Sequence, residues 1–384
     1  MRAARAAAQG VFHGAGRRWS LQRCTDRAAP ECCGLNREAG MRCQRIKMDE
    51  AGEESFWRTW QANSFDTELA WFRLLARTAL PPLSAPALWV TESDGALQAA
   101  LPLRRDGPGR LAALGNFYTA CFAPQLRSVA AMSGLVRETM AAEGAYSLDL
   151  QPMAPENPHF EAMRTALSGA GLVCFDYFCF GNWYLPARGL CYEDYLAARP
   201  GPLRSTLKRK GKKFAAAGGR IDIVVGGEAL EAAMADYQQV YDASWKRTEP
   251  FPDFMPGFMR LCAERGWLRL GVARLDGVAI AAQCWVVRDG HAAIYKLAYD
   301  EAQAEWSAGS LLTAALMQRM LDEEQVAEVD YLIGDDAYKR DWMTHRRERH
   351  GLRAYDPRRW RGAMATLAEA LRRAGRPLVR WCRR

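Results

Sequence analysis

No two cysteines in the 384-residue chain stand in a CxxC pair, so a zinc site has no ligand framework and no metal is expected. The eleven cysteines are scattered. Cys24, Cys32, Cys33 and Cys43 lie near the start, while Cys174 and Cys179 (in LVCFDYFCF) and Cys284 (in AAQCWVV) sit in apolar runs. An odd total without regular spacing argues against a secreted disulfide scaffold and for a reducing, cytoplasmic setting. No run of eighteen apolar residues occurs, which predicts no transmembrane helix. The net charge of +8 is local rather than general: residues 1–47 hold ten Lys/Arg against three Asp/Glu, and the remainder 42 against 41. A body this close to neutral excludes a DNA-coating role, and no DNA partner is expected. With 49% hydrophobic and 25% charged residues the chain is otherwise ordinary globular material.

Residues 1–50, rich in Ala, Arg, Gly and Cys without a signal-peptide apolar core, read as a disordered leader or as an upstream extension, with Met41 or Met48 as the true start. Residues 53–185 read as a mixed α/β domain. Its predicted elements are a helix from Asp66 to Ala76, a hairpin around Ser93-Asp-Gly, a strand from Leu111 to Tyr118, helices near 126–142 and 156–169 around a strand at Ser147–Leu150, and a β-prone run from Leu172 to Leu185 broken at Gly181. It contains no phosphate loop, nucleophile elbow or histidine cluster, and reads as a scaffold that shapes a cleft.

Residues 186–357 form the second predicted domain. The basic run from Leu203 to Phe214 is a helix whose Arg204, Lys208, Arg209, Lys210, Lys212 and Lys213 make either a solvated face or an anion-binding flank. A strand at 221–225, helices at 228–245 and 255–265, and three strands in meander order follow. The last two of these strands are joined to their predecessors by Asp276-Gly277 and Asp289-Gly290 turns. After Tyr295-Lys-Leu-Ala-Tyr-Asp, the turn Ser307-Ala-Gly-Ser opens a helix with Leu312, Leu316 and Met320 as its buried stripe. Ser307 is placed to cap it, and the small residues Ala308, Gly309 and Ser310 let a pyrophosphate approach the helix N-terminus, where unpaired amides and the dipole favour anions. A short strand then runs into the charged segment Gly334-Asp-Asp-Ala-Tyr-Lys-Arg-Asp-Trp.

This order, with Leu275-Asp-Gly-Val-Ala-Ile-Ala, Tyr295-Lys-Leu-Ala-Tyr-Asp, Ser307-Ala-Gly-Ser-Leu-Leu and Asp330-Tyr-Leu-Ile-Gly-Asp-Asp-Ala-Tyr-Lys-Arg-Asp-Trp, resembles the GNAT acetyltransferase superfamily. More narrowly it is similar to the branch associated with cellulose and exopolysaccharide loci (CelD/BcsL type), which is related to the FemAB aminoacyl transferases. Ala308 stands where that branch commonly has proline. The resemblance implies an α/β (α+β) fold with a GNAT-like, mostly antiparallel sheet flanked by helices, in tandem with a degenerate GNAT-like unit at the N-terminus. It implies acetyl-CoA as donor substrate, bound by the Ser307–Ser310 turn, with backbone amides of Leu297, Ala298 and Tyr299 on the thioester carbonyl.

For the acceptor side, Asp335 is the candidate base, Tyr338 the proton donor to the departing thiolate and Lys339 the cation for a substrate anion; Tyr295, Lys296 and Asp336 are candidate substrate contacts. The alternative for these residues is a capped, packed helix at 336–343. His291, His345 and His350 read as turn or surface residues, with His345 a lesser candidate base.

The expected activity is acetylation of an amino sugar or saccharide precursor in envelope or exopolysaccharide biosynthesis. Two other classes stay open: an aminoacyl-tRNA-dependent transferase and a non-catalytic membrane-surface component. The second draws on 358–384, where Trp360, Ala363, Met364, Leu367 and Leu371 form an apolar stripe among nine arginines, either lying on anionic lipid at the inner membrane or packed on the sheet.

Overall fold

The computed structural model describes residues 42–48 and 60–381. In chain order the first half comprises β1 (Arg42–Lys47), α1 (Leu69–Thr78), β2 (Ala87–Ser93), β3 (Ala96–Arg105), β4 (Arg110–Ala113), β5 (Gln125–Leu126), α2 (Val129–Ala142), β6 (Ser147–Met153), α3 (Pro158–Gly169) and β7 (Val173–Pro186). The second comprises α4 (Tyr192–Ala197), α5 (Gly201–Ala216), β8 (Arg220–Val224), α6 (Leu230–Asp242), α7 (Phe254–Glu264), β9 (Leu268–Leu275), β10 (Val278–Arg288), β11 (His291–Tyr299), α8 (Ala308–Gln318), β12 (Glu328–Asp330), α9 (Lys339–Trp342), β13 (His345–Tyr355) and α10 (Trp360–Trp381).

Local chemistry explains the hairpins. Asp94-Gly95, Asp276-Gly277 and Asp289-Gly290 each have both residues at positive φ, the primed turn whose twist matches the strands it joins. Register follows at once, with Leu275 opposite Val278 and Arg288 opposite His291.

All strands but β5 lie on one path, β1-β2-β3-β4-β6-β13-β7-β12-β11-β10-β9-β8, which reads as the same pattern from either end. In each half an antiparallel meander (β2-β3-β4 and β9-β10-β11) is followed by a helix and a strand parallel to the meander's last member. The sheet is therefore a tandem of two GNAT-like units. The central strands are exchanged: β7 pairs with β12 of the second half, and β13 inserts between β6 and β7. The predicted division at 185/186 thus cuts a sheet whose second half lends a strand to the first.

Three further expectations are corrected. Arg42–Lys47, assigned to the leader, is an edge strand on β2, followed by buried Met48; residues 1–41, 49 and 50 of that leader lie outside the described residues. β7 runs unbroken through Gly181, where a Cβ would come within 2.5 Å of the Arg346 guanidinium, so the glycine admits that side chain instead of ending the strand. The strand predicted to reach Tyr118 stops at Ala113, and the chain turns through Asn116, whose side chain accepts from the Tyr118 amide at 2.9 Å.

One face of the sheet carries an apolar core shared by both halves. Trp71 of α1 is fully buried and meets Phe254 and Phe258 of α7 edge-on at 5.5 and 5.2 Å. A second core, built by α5, α8 and β10, covers the other face of the second half.

Candidate active site

The site begins where two parallel strands part. β11 and β12 pair only over His291–Ala293 with Glu328–Asp330. Beyond that, Leu332 and Gly334 take positive φ (53° and 104°) and lead the chain away, with Asn182 Nδ2 holding the Leu332 carbonyl at 2.8 Å. From Ile294 to Tyr299, β11 pairs only with β10 among the described residues, so alternate backbone groups face an open wedge. The same strand bulges: Cys284 opposes Lys296 and Trp285 opposes Ile294, leaving Tyr295 as the extra residue. Bulges of this kind re-aim backbone and side chains beside active sites.

α8 starts at the wide end of this wedge. Ser307 occupies the cap position in the left-handed region (φ 54°), and its side chain makes no cap, contrary to expectation. Its carbonyl instead accepts from the amides of Ser310 (3.0 Å) and Leu311 (3.1 Å), so the Ser310 amide is not available to a phosphate. The amides of Ala308 and Gly309 have no protein partner among the described residues. The first turn is rigidly set, because buried Gln283 donates to the Gly309 carbonyl at 2.9 Å and to Thr313 Oγ1 at 2.8 Å. A Cβ on Gly309 would sit 3.4 Å from Tyr299, so the glycine keeps this approach narrow but open. On the flank, Lys213 pairs with Glu305 at 2.9 Å and lies 4.2 Å from the Trp306 ring, and Lys210 binds the Glu305 carbonyl. Arg204, Lys208, Arg209 and Lys212 are exposed, so the basic helix is solvated on one side and reaches the donor loop on the other.

The corresponding helix of the first half differs. Ser128 caps α2 by accepting from the Ala131 amide at 3.2 Å. Like α8 it leaves its first two amides, those of Val129 and Ala130, without a protein partner among the described residues, so the two helices differ in how the third amide is satisfied, by a side chain in α2 and by a backbone carbonyl in α8. An acyl-CoA fits the second half: Ala308 and Gly309 would hold phosphate, and the amides of Leu297 and Tyr299, which alternate with the β10-facing amide of Ala298, border the wedge. Such a donor supplies a thioester whose acyl carbon is open to attack by an amine or hydroxyl.

Beside the wedge lies a cluster the sequence reading missed. Glu249 accepts from Lys296 Nζ at 2.8 Å and from the Tyr118 hydroxyl; Tyr118 arrives from the β4–β5 loop of the first half and stacks on Phe254 with centroids 3.9 Å apart. Burial alone would raise the Glu249 carboxyl, but the Lys296 ammonium and hydrogen bonds from Lys296, Tyr118 and Tyr241 outweigh it and hold the group below its ordinary value. Lys246 is pushed down to about 8, first by burial and then by the Lys296 ammonium, with Lys339 adding and Glu249 and Asp336 opposing. Its neighbour Trp245 packs on Tyr299 at 4.6 Å, which links this lysine to the Gly309 turn. A lysine depressed this far is able to act as a base near neutral pH.

The predicted acceptor residues separate. Asp335 accepts from Trp183 Nε1 at 2.6 Å and from Arg346 at 2.7 and 2.9 Å. The Arg346 hydrogen bonds hold its carboxyl below the usual range, so it is a poor proton acceptor and not the expected base. Lys339 is 5% exposed, and its Nζ donates to the carbonyls of Ile333 (2.5 Å) and Gly334 (3.3 Å); it fastens the loop that parts β12 from β11 and has little left for a substrate anion. Tyr295 points away from the wedge into the shared core, packed on Phe258 and donating to the Tyr118 carbonyl at 3.1 Å. Lys296, Asp336 and Tyr338 remain with the site. Burial, then the Asp336 charge, push the Tyr338 phenol above its ordinary value, so it stays protonated but is a weaker acid than a free tyrosine. His345 lies on β13 against Tyr184, with Thr344 Oγ1 2.8 Å from its Nδ1. Tyr118, Lys246 and Glu249 carry no motif; only the tertiary approach of two distant loops, β4–β5 and α6–α7, to Lys296 of β11 reveals them.

Residues 202–340 match the acetyltransferase (GNAT) domain family. The chain carries a GNAT acyltransferase fold. The GNAT match ends in α9, just past the loop that parts β12 from β11, and solved structures extend the likeness across both halves. FemX is 11% identical with a TM-score of 0.55, covering 81% of this chain and 96% of that one. A conserved protein of unknown function from Bacteroides thetaiotaomicron is 9% identical with a TM-score of 0.53, covering 79% and 95%. A tandem GNAT protein from the clavulanic acid biosynthesis pathway is 14% identical with a TM-score of 0.44, covering 81% and 98%. No curated protein matches the chain in sequence. The likeness to the CelD/BcsL branch rests on the sequence motifs alone.

Proposed function

We propose that this protein transfers an acyl group, acetyl in the first instance, from acyl-CoA to an amine or hydroxyl of a saccharide precursor. The observation that carries the reading is the open N-terminus of α8 at the wide end of the β11/β12 wedge, beside a bulged strand and a lysine whose pKa is pushed down to about 8. In this reading the Ala308 and Gly309 amides hold phosphate, Lys246 takes the acceptor's proton, and Tyr338 holds the proton for the departing thiolate. Glu249, itself held by the Tyr118 hydroxyl, keeps Lys296 in place. Phe117, 48% exposed, and Phe251, 6.3 Å from it and nearly parallel, give the cleft an apolar platform suited to one face of a sugar ring. The chemistry of an amino-sugar acceptor in envelope or exopolysaccharide assembly, in the cytoplasm, comes from the CelD/BcsL likeness. Among the described residues no helix is long and apolar enough to cross a membrane.

A second reading, aminoacyl transfer from charged tRNA as in the FemAB transferases the motifs resemble, is favoured by one feature: the FemX-like architecture spans both halves, and both line the cleft. Calorimetric titration of the full chain with acetyl-CoA and CoA, with charged tRNA as competitor, separates the two. Saturable CoA binding unaffected by tRNA is expected. A folded sample that binds charged tRNA and no CoA overturns the acetyl-CoA reading in favour of the second.

A further inference from the structure

The last helix is attached the wrong way round for a globular protein. In α10, Trp360, Met364, Leu367 and Leu371 recur at helical spacing and are 73%, 59%, 53% and 63% exposed. An amphipathic helix ordinarily turns such a stripe to the core. Here the opposite edge is held instead: Gly362 lies tight against the Asp356 backbone, and Arg373 reaches the Asp176 carbonyl and lies 5.0 Å from the Phe175 ring. The sheet-packed alternative raised by the sequence is thus the polar edge's role, and the apolar stripe is uncovered.

We propose that this stripe docks on an anionic lipid bilayer. Charge selects that occupant. Residues 358–384 hold nine arginines and a single acid, Glu369, whereas residues 48–357 hold 33 Lys/Arg against 40 Asp/Glu. Glu369 is neutralised where it stands by Arg372, and by Arg373 at 2.8 Å. Arg361 and Arg372 are exposed and flank the stripe, with Arg361 5.3 Å from the Trp360 ring. A basic rim, a tryptophan at one end and leucines along the middle describe a helix that lies in the headgroup layer. The stripe runs about 16 Å from Trp360 to Leu371 at helical rise, enough to lie along a surface and too short to cross one. Residues 48–357, net negative, are repelled by the same surface, so the helix approaches it in preference to the body that carries it.

Flotation of the full chain with vesicles of phosphatidylcholine alone, or with one third phosphatidylglycerol, tests this. Binding to the anionic vesicles, little to the neutral ones and a marked drop at high salt are expected. The variant L367E/L371E, altered at two exposed positions that touch no core, should bind at least about tenfold more weakly while keeping its circular dichroism spectrum. Equal binding to both vesicle types, binding unaffected by the variant, or no binding overturns the proposal. A dimer in sedimentation that the variant converts to monomer, without vesicle binding, assigns the stripe to a second copy and overturns it too.

Discussion

Replacing Gly309 by valine separates donor binding from folding. The position is the second residue of α8, where valine is intrinsically somewhat better than glycine in a helix, by a few tenths of a kcal/mol. Against this, the added Cβ meets Tyr299 Cδ1 at 3.4 Å, tight but within reach of a small shift of a half-buried ring that packs on Trp245 at 4.6 Å. Folding stability should therefore change by less than about 1 kcal/mol. The branched side chain crowds the two amides that have no protein partner. Losing one charge-assisted hydrogen bond to phosphate removes about 1.5–3 kcal/mol, or roughly ten- to hundredfold in Kd. Thermal denaturation and calorimetric titration with CoA read the two quantities on the same sample. G309A should fall between wild type and G309V. A G309V protein that melts like wild type and binds CoA equally well refutes the placement of the phosphate at this turn.

The remaining expectations concern the proton path and the corrected residues. With the Lys246 amine held at about 8, its neutral fraction grows as pH rises through that value, so kcat/KM should climb with pH along a limb near 8; K246M should remove the limb and lower turnover about 10²–10⁴-fold, and an unchanged profile returns the base to another group. D335N should leave turnover intact and lower stability by about 0–1 kcal/mol, because it breaks a partly exposed pair with Arg346; a hundredfold loss of kcat would restore Asp335 to catalysis. S128A should destabilise the protein by about 1 kcal/mol through the lost α2 cap without altering CoA affinity, and weaker CoA binding would show that the first half also holds donor.

Much of the architecture was written in short-range chemistry. Asp-Gly turns between apolar runs carry their own register, and small residues before a leucine stripe mark where α8 begins, because both depend on backbone dihedrals that neighbouring residues impose. The motifs likewise pointed to the wedge from one side. What the sequence could not convey is long-range: that β13 threads between β6 and β7, that Leu332 turns left-handed and parts β12 from β11, and that Tyr118 reaches the distant loop holding Lys246 and Glu249. The misreadings share that cause. Asp335 and Lys339 look like free charges in a string of letters, yet Arg346 neutralises one and two backbone carbonyls engage the other. Residue type determined which groups can carry charge; the tertiary structure, by burying and pairing them, decided which of those charges are free to act on a substrate.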